Sequence, residues 1–190
     1  MSVKTYTDEQ LLDRVAALAD FKGFPNGILD IWVRSNEDAF DKFDDKVYTF
    51  ECFGETKPPR FVMACTGTTN AGAEGLKNFS KYNRLGCAVL KSDTIVYQSH
   101  RFGTHKGYPA YRQSKGFPYF RDGDKDNKAE EIGKEYNDIT LANCHKAGQF
   151  STQIGGWSVA CLVRNQLAQW KKWLTFMNKR DLSVVILKEF

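Results

Sequence analysis

The apolar positions of this chain change their period as it runs. Leu11, Leu12, Val15, Leu18 and Ala19 recur at helical spacing, which predicts an amphipathic helix near the start. Thr7 is a good N-cap, and Gln10 stands three residues on, where it completes a capping box. Gly23, Pro25, Asn26 and Gly27 end that helix in a turn. The pattern then becomes strand-like. Residues 28–33 are β-branched and aromatic, 46–52 alternate, and 60–66 form another apolar run. The first of these pairs with the second as a hairpin. The acidic stretch 36–45 between them reads as a solvated connection.

Residues 70–85 are polar, carry Gly72 and Gly75, and read as a loop with room for one helical turn. Short strands are predicted at 87–90, 94–97, 110–113 and 117–121, with a turn at 103–107. The run 136–143 leads into His145. Leu167, Trp170, Leu174 and Met177 restore the helical period, with Lys171 and Lys172 opposite, and a last strand is expected at 183–187. The sum is an α+β, strand-rich domain around a single core. An N-terminal helix and turn (1–27) precede one domain (28–190). No repeat, low-complexity tract or linker interrupts it.

Composition narrows the class. With 190 residues, 42% hydrophobic and 26% charged, the chain suits one globular domain with a real core. No apolar run is long enough to span a bilayer, so no membrane partner is expected. The N-terminus lacks a basic segment followed by an apolar one, which predicts synthesis in the cytoplasm without a signal peptide. Net charge is +4, with Lys and Arg spread rather than clustered, so no nucleic-acid partner is expected. The pattern sets no oligomeric state.

Five cysteines without a Cys-x-x-Cys pair argue against a disulfide framework and against a zinc ribbon. Cys52, Cys65 and Cys87 sit among apolar residues and read as core. Cys144 and Cys161 stand near groups able to activate a thiol. His145 precedes Cys161 by sixteen positions. Gly155, Gly156 and Ala160 supply small residues around Cys161, as a nucleophile turn needs if its N–H groups are to face an oxyanion. Ser158 is placed to donate to the thiolate or to the substrate. On spacing alone, a buried cysteine and an unrelated histidine in one core is the competing account.

His105 lies in a turn-rich loop, where it either lines the cleft or is simply exposed. His100 reads as structural or exposed. Asp122, Asp124 and Asp126 have the spacing of three calcium ligands, but position twelve is Gly133 rather than Glu, so a solvated acidic turn is the simpler reading and no metal site is assigned.

The block Ser158-Val159-Ala160-Cys161-Leu162, with His145 upstream, resembles the nucleophile motif of the L,D-transpeptidase catalytic domain. The resemblance extends over four blocks in order: His105 to Ala110, Tyr119 to Asp126, Asn143 to Ala147 and Trp157 to Cys161. In this it is similar to small phage and mobile-element proteins regarded as L,D-transpeptidase-like. The resemblance implies a mixed β domain, with Cys161 as nucleophile and His145 as base. Ser158, Ala160, Gly156 and His105 would lie on the substrate or oxyanion side. It implies no metal or organic cofactor. The partner would be a peptidoglycan stem peptide, attacked by hydrolysis or by transpeptidation, and the lack of a signal suits action on the cell wall after lysis or particle delivery. Three positions depart from the motif. Ala160 replaces Gly, and its methyl group would hinder a positive φ. Lys146 follows the histidine where Gly is usual, and Arg164 falls one place late. These departures keep open an inactive wall-binding or phage structural module with the same fold. An unrelated β-rich domain is the third account.

Overall fold

In the computed structural model, which describes residues 3–149 and 151–190, the chain is a strand-rich α+β fold with three α-helices and two sheets. Met1, Ser2 and Phe150 lie outside the described residues. Helix α1 (Asp8–Ala16) has the expected capping box: Thr7 Oγ1 accepts from the Gln10 N–H, and the Gln10 side chain accepts from the Thr7 N–H. Strands β1 (Asn26–Arg34), β2 (Asp45–Phe53) and β3 (Arg60–Thr68) form an antiparallel meander. Helix α2 (Ala73–Asn78) and a 3-10 turn (Phe79–Lys81) lead to β4 (Cys87–Leu90). Then come β5 (Thr94–His105), β6 (Tyr108–Gln113), β7 (Phe117–Asp122), β8 (Tyr136–Asp138), β9 (Cys144–Lys146) and β10 (Leu162–Arg164). Helix α3 (Leu167–Met177) and β11 (Leu182–Lys188) finish the chain.

Eight strands close into a barrel in the order β1-β11-β5-β6-β9-β10-β3-β2, and β4, β7 and β8 form a separate three-stranded sheet. Closure leaves the barrel no free edge. Two pairs are parallel, β1 with β11 and β9 with β10. Strand β1 shows why its run is apolar on both faces, with Asp30 the one exception between Ile28 and Val33. Ile28 and Trp32 point into an inner cluster with Leu162, Trp170, Trp173 and Met177. Leu29, Ile31 and Val33 point outward under α1, against Leu11 and Val15. The expected single core is therefore two main clusters, one on each face of β1 and β11.

One charged pair is sealed inside the barrel. Arg164 Nη2 lies 2.5 Å from Asp30 Oδ2, and both side chains are fully buried. Thr49 and the Cys65 sulfur accept further bonds from the same guanidinium, which stacks over Trp173 at 4.4 Å. Two departures from the expected elements bear on the site. Strand β5 continues through Gly103 to His105, and the chain reverses at Lys106-Gly107 (φ 48° and 84°), a two-residue hairpin of positive-φ residues. The stretch 36–45 is solvated only in part: Asn36, Glu37, Phe40 and Lys42 are exposed, but Asp41, Asp44 and Asp45 are buried. Asp45 accepts from the N–H groups of Ser35 and Thr69, and Asp44 from that of Ala39. Among the described residues no helix is long and apolar enough to cross a membrane.

Candidate functional site

Strand register brings Cys161 and His145 to one face. β9 and β10 run parallel with Leu162 opposite Cys144 and Val163 opposite His145. Alternation turns Cys144 and Leu162 into the inner cluster. It turns His145 and Val163 outward, and Cys161, two residues before Val163, shares that face with Val163 and Ala147. The histidine on β9 thus stands diagonal to the cysteine that immediately precedes β10.

His145 is buried, and its tautomer is set by its surroundings. Nδ1 lies 2.7 Å from the Lys146 carbonyl oxygen, which can only accept, so the ring proton sits on Nδ1. Nε2 keeps its lone pair and has no hydrogen-bond partner among the described residues. The His105 ring lies flat on the His145 ring, with centroids 4.6 Å apart and 11° between planes. Asn143 orients His105: its Oδ1 accepts from the Gln113 N–H, so its amide nitrogen faces His105 Nδ1, 3.3 Å away. Burial pushes His145 down to about 4, with the Lys146 carbonyl pulling the other way. His105 is also lowered, first by burial and then by Lys106 and Arg112. Both rings are neutral at pH 7.

The Cys161 side of the pair is equally neutral. Burial pushes its thiol up to about 11, opposed by the Asn143 N–H and by Lys106. The S–H points to the Leu141 carbonyl oxygen at 3.7 Å, and no hydrogen bond joins the sulfur to either imidazole. The resting protein therefore holds a protonated thiol and an unprotonated imidazole on one face, rather than a thiolate–imidazolium pair.

Cys161 opens onto a cleft of about 420 Å³ between the barrel and the small sheet. His105, Gly156 and Ala160 line it with Cys161, and His145 lies behind His105. Two expectations need correction. Ser158 faces neither sulfur nor cleft; it is fully buried, and its hydroxyl donates to the Cys161 carbonyl oxygen at 2.8 Å. It braces the turn from beneath. Ala160 does not have a positive φ, so its methyl group imposes none of the backbone strain expected of it.

The support for the turn comes from residues the sequence did not single out. Asp41 Oδ1 accepts from the N–H groups of Gly155 (2.6 Å) and Ala73 (2.9 Å), joining the turn to the start of α2. The Gly72 N–H donates to the Ser158 carbonyl at 3.0 Å. A Cβ on Gly75 would stand 3.0 Å from the Val159 Cα. The small residues from Ala71 to Gly75 were the signal that a backbone passes close by. His100 is structural: fully buried, it bonds the Ala142 carbonyl oxygen and the Ser99 hydroxyl. In the acidic turn, Asp122 is buried and accepts from the N–H groups of Asp124 and Glu130. The carboxylates that gather are those of Asp124, Asp126 and Glu130, on the surface.

Comparison with family models, with curated proteins and with solved structures found no match.

Proposed function

We propose that this chain is a cysteine-dependent acyl-transfer enzyme of the L,D-transpeptidase-like kind, acting on peptidoglycan stem peptides. The observation that carries the chemistry is the unpartnered Nε2 of His145 on the same face as Cys161, with Nδ1 fixed on a backbone carbonyl. The choice of peptidoglycan rests on the four ordered sequence blocks. In this reading the bound substrate displaces the S–H from the Leu141 carbonyl. The sulfur attacks an amide carbonyl carbon while its proton passes to His145 Nε2. The C–N bond breaks, the amine takes that proton, and a thioester remains. Water then releases an acid, or a second amine forms a new amide, and the sulfur recovers its proton. The Lys146 carbonyl stabilises the imidazolium formed on the way, through the Nδ1 proton. Gly156 and Ala160 supply backbone beside the reacting carbon. The protein reaches its polymer after lysis or particle delivery.

A second reading, an inactive wall-binding or phage structural module, draws on the thiol pushed up to about 11 and unbonded to either imidazole. Turnover separates the two. Purified protein and the Cys161→Ala variant are incubated with muropeptides and the products resolved by mass spectrometry. New products from the parent protein alone, with a transient mass increase on Cys161, are expected. Identical profiles for both proteins would leave the module as the answer.

A further inference from the structure

We infer that Arg121 forms a carboxylate subsite in the cleft, so that the peptide bound there is held by an anionic group on the small-sheet side while its carbonyl faces Cys161. The inference rests on the acyl-transfer reading for the identity of the peptide, but not for the charge it must carry. Along β7, Phe117 and Tyr119 point into the inner cluster. Arg121 is next on that face, and there it lines the cleft. Its guanidinium is held by neutral groups only: the Gly86 carbonyl at 3.3 Å, the Thr140 hydroxyl at 3.2 Å and the Tyr119 hydroxyl at 3.4 Å. It also stacks over the Tyr119 ring at 4.9 Å. These bonds are long and leave part of its five-donor fork unused.

Arg121 makes no ion pair among the described residues. On the same sheet, Asp122 accepts from the N–H groups of Asp124 and Glu130, and Asp138 bonds the Tyr119 hydroxyl. No Asp or Glu lines the cleft, although the chain has 23 of them, and Lys106 adds a second cation beside Cys161. Glu74, which reaches the hydroxyl of Tyr82 at the rim, is engaged by Lys81 at 2.8 Å. A preorganised, half-buried guanidinium in a cleft free of acids selects a carboxylate, which its fork matches with two parallel bonds.

The test is calorimetric binding to Cys161→Ala, which removes turnover. The probes are a stem tetrapeptide with all carboxylates free and the same peptide fully amidated. The acid is expected to bind about tenfold or more tightly than the amide, as one charge-assisted contact gives. Arg121→Gln should bring the two together, and Arg121→Lys should restore part of the preference. Equal binding of acid and amide, or no binding of either, overturns the inference without any change at Arg121. A preference that survives Arg121→Gln, or that vanishes in Lys106→Gln with Arg121 intact, also overturns it. The two readings fail separately. Cys161-dependent turnover with no role for Arg121 defeats only the subsite. Arg121-dependent acid binding without turnover defeats only the acyl transfer.

Discussion

At the scale of residues, burial sets the state of the site. Cys161 and His145 are both kept neutral by desolvation, which lifts one and lowers the other. With a thiol pushed up to about 11, the thiolate fraction at pH 7 is on the order of 10⁻⁴. Alkylation of Cys161 by iodoacetamide is therefore expected to be slower at pH 7 than that of a free peptide cysteine. Its rate should keep climbing past pH 9, where the peptide levels off. Peptide mapping across pH 6–10 checks this, and a plateau near pH 8 would contradict the buried thiol. Slow labelling at neutral pH does not mark an inactive protein, because the proton is expected to leave only when substrate is bound. Of the candidate residues, His145, Cys161 and His105 could be picked from the sequence by type and order. The direction of the Ser158 hydroxyl could not, because it depends on which carbonyl the folded turn places within reach.

At the scale of elements, the turn before β10 is shaped by its fit against α2. A Cβ at Gly75 would meet the Ala71 Cβ at 2.7 Å and the Val159 Cα at 3.0 Å. Gly75→Ala is expected to lower stability by about 1–3 kcal/mol through overpacking. It should cut turnover as well, because the strain falls on the backbone two residues before Cys161. Ala160→Gly is the informative contrast. Motif resemblance alone expects a gain from restoring the glycine. The φ of residue 160 is not positive, so the structure instead predicts a loss of about 0.5–1 kcal/mol from added freedom in the unfolded chain, with no gain in rate. Urea denaturation and turnover, run in parallel on both variants, check the pair. A rate increase for Ala160→Gly would show that the turn needs more freedom than its backbone displays.

At the scale of the whole molecule, the barrel encloses groups that water would otherwise hold. Arg164 on β10 reaches across the interior to Asp30 on β1, so the strand just after Cys161 is tied to the far wall. Asp30→Asn leaves a buried guanidinium without its counter-charge and should destabilise the protein by about 3–5 kcal/mol. A thermal melt measures this, and an unchanged midpoint would mean that the pair contributes nothing to the closed barrel. His100 gives the fold a pH response. Burial pushes it down to about 4 from its ordinary 6.5, with its bond to the Ala142 carbonyl acting in the opposite sense. Between those values the unfolded chain takes up a proton that the fold refuses. The contribution is full above about pH 6.5 and is lost as pH falls towards 4, at about 1.4 kcal/mol per unit. The parent protein should thus lose about 2 kcal/mol more than His100→Gln between pH 6.5 and 4.5 in denaturant titrations. Equal losses would mean that the ring is already charged in the fold.

Local pattern alone determined the β-branched and aromatic run of β1, the capping box of α1, the apolar stripe of α3 and the positions of most strands. These come from the period of side chains about a single element, which is written in neighbouring residues. The tertiary structure decided the rest. The pairing of β9 with β10 placed Cys161 diagonal to His145, and the β5–β6 hairpin laid His105 on the His145 ring. Docking of α2 drew Asp41 out of an apparently solvated acidic stretch and onto the Gly155 N–H. Strand partners, desolvation and hydrogen-bond acceptors come from residues far apart along the chain, so no window of sequence contains them.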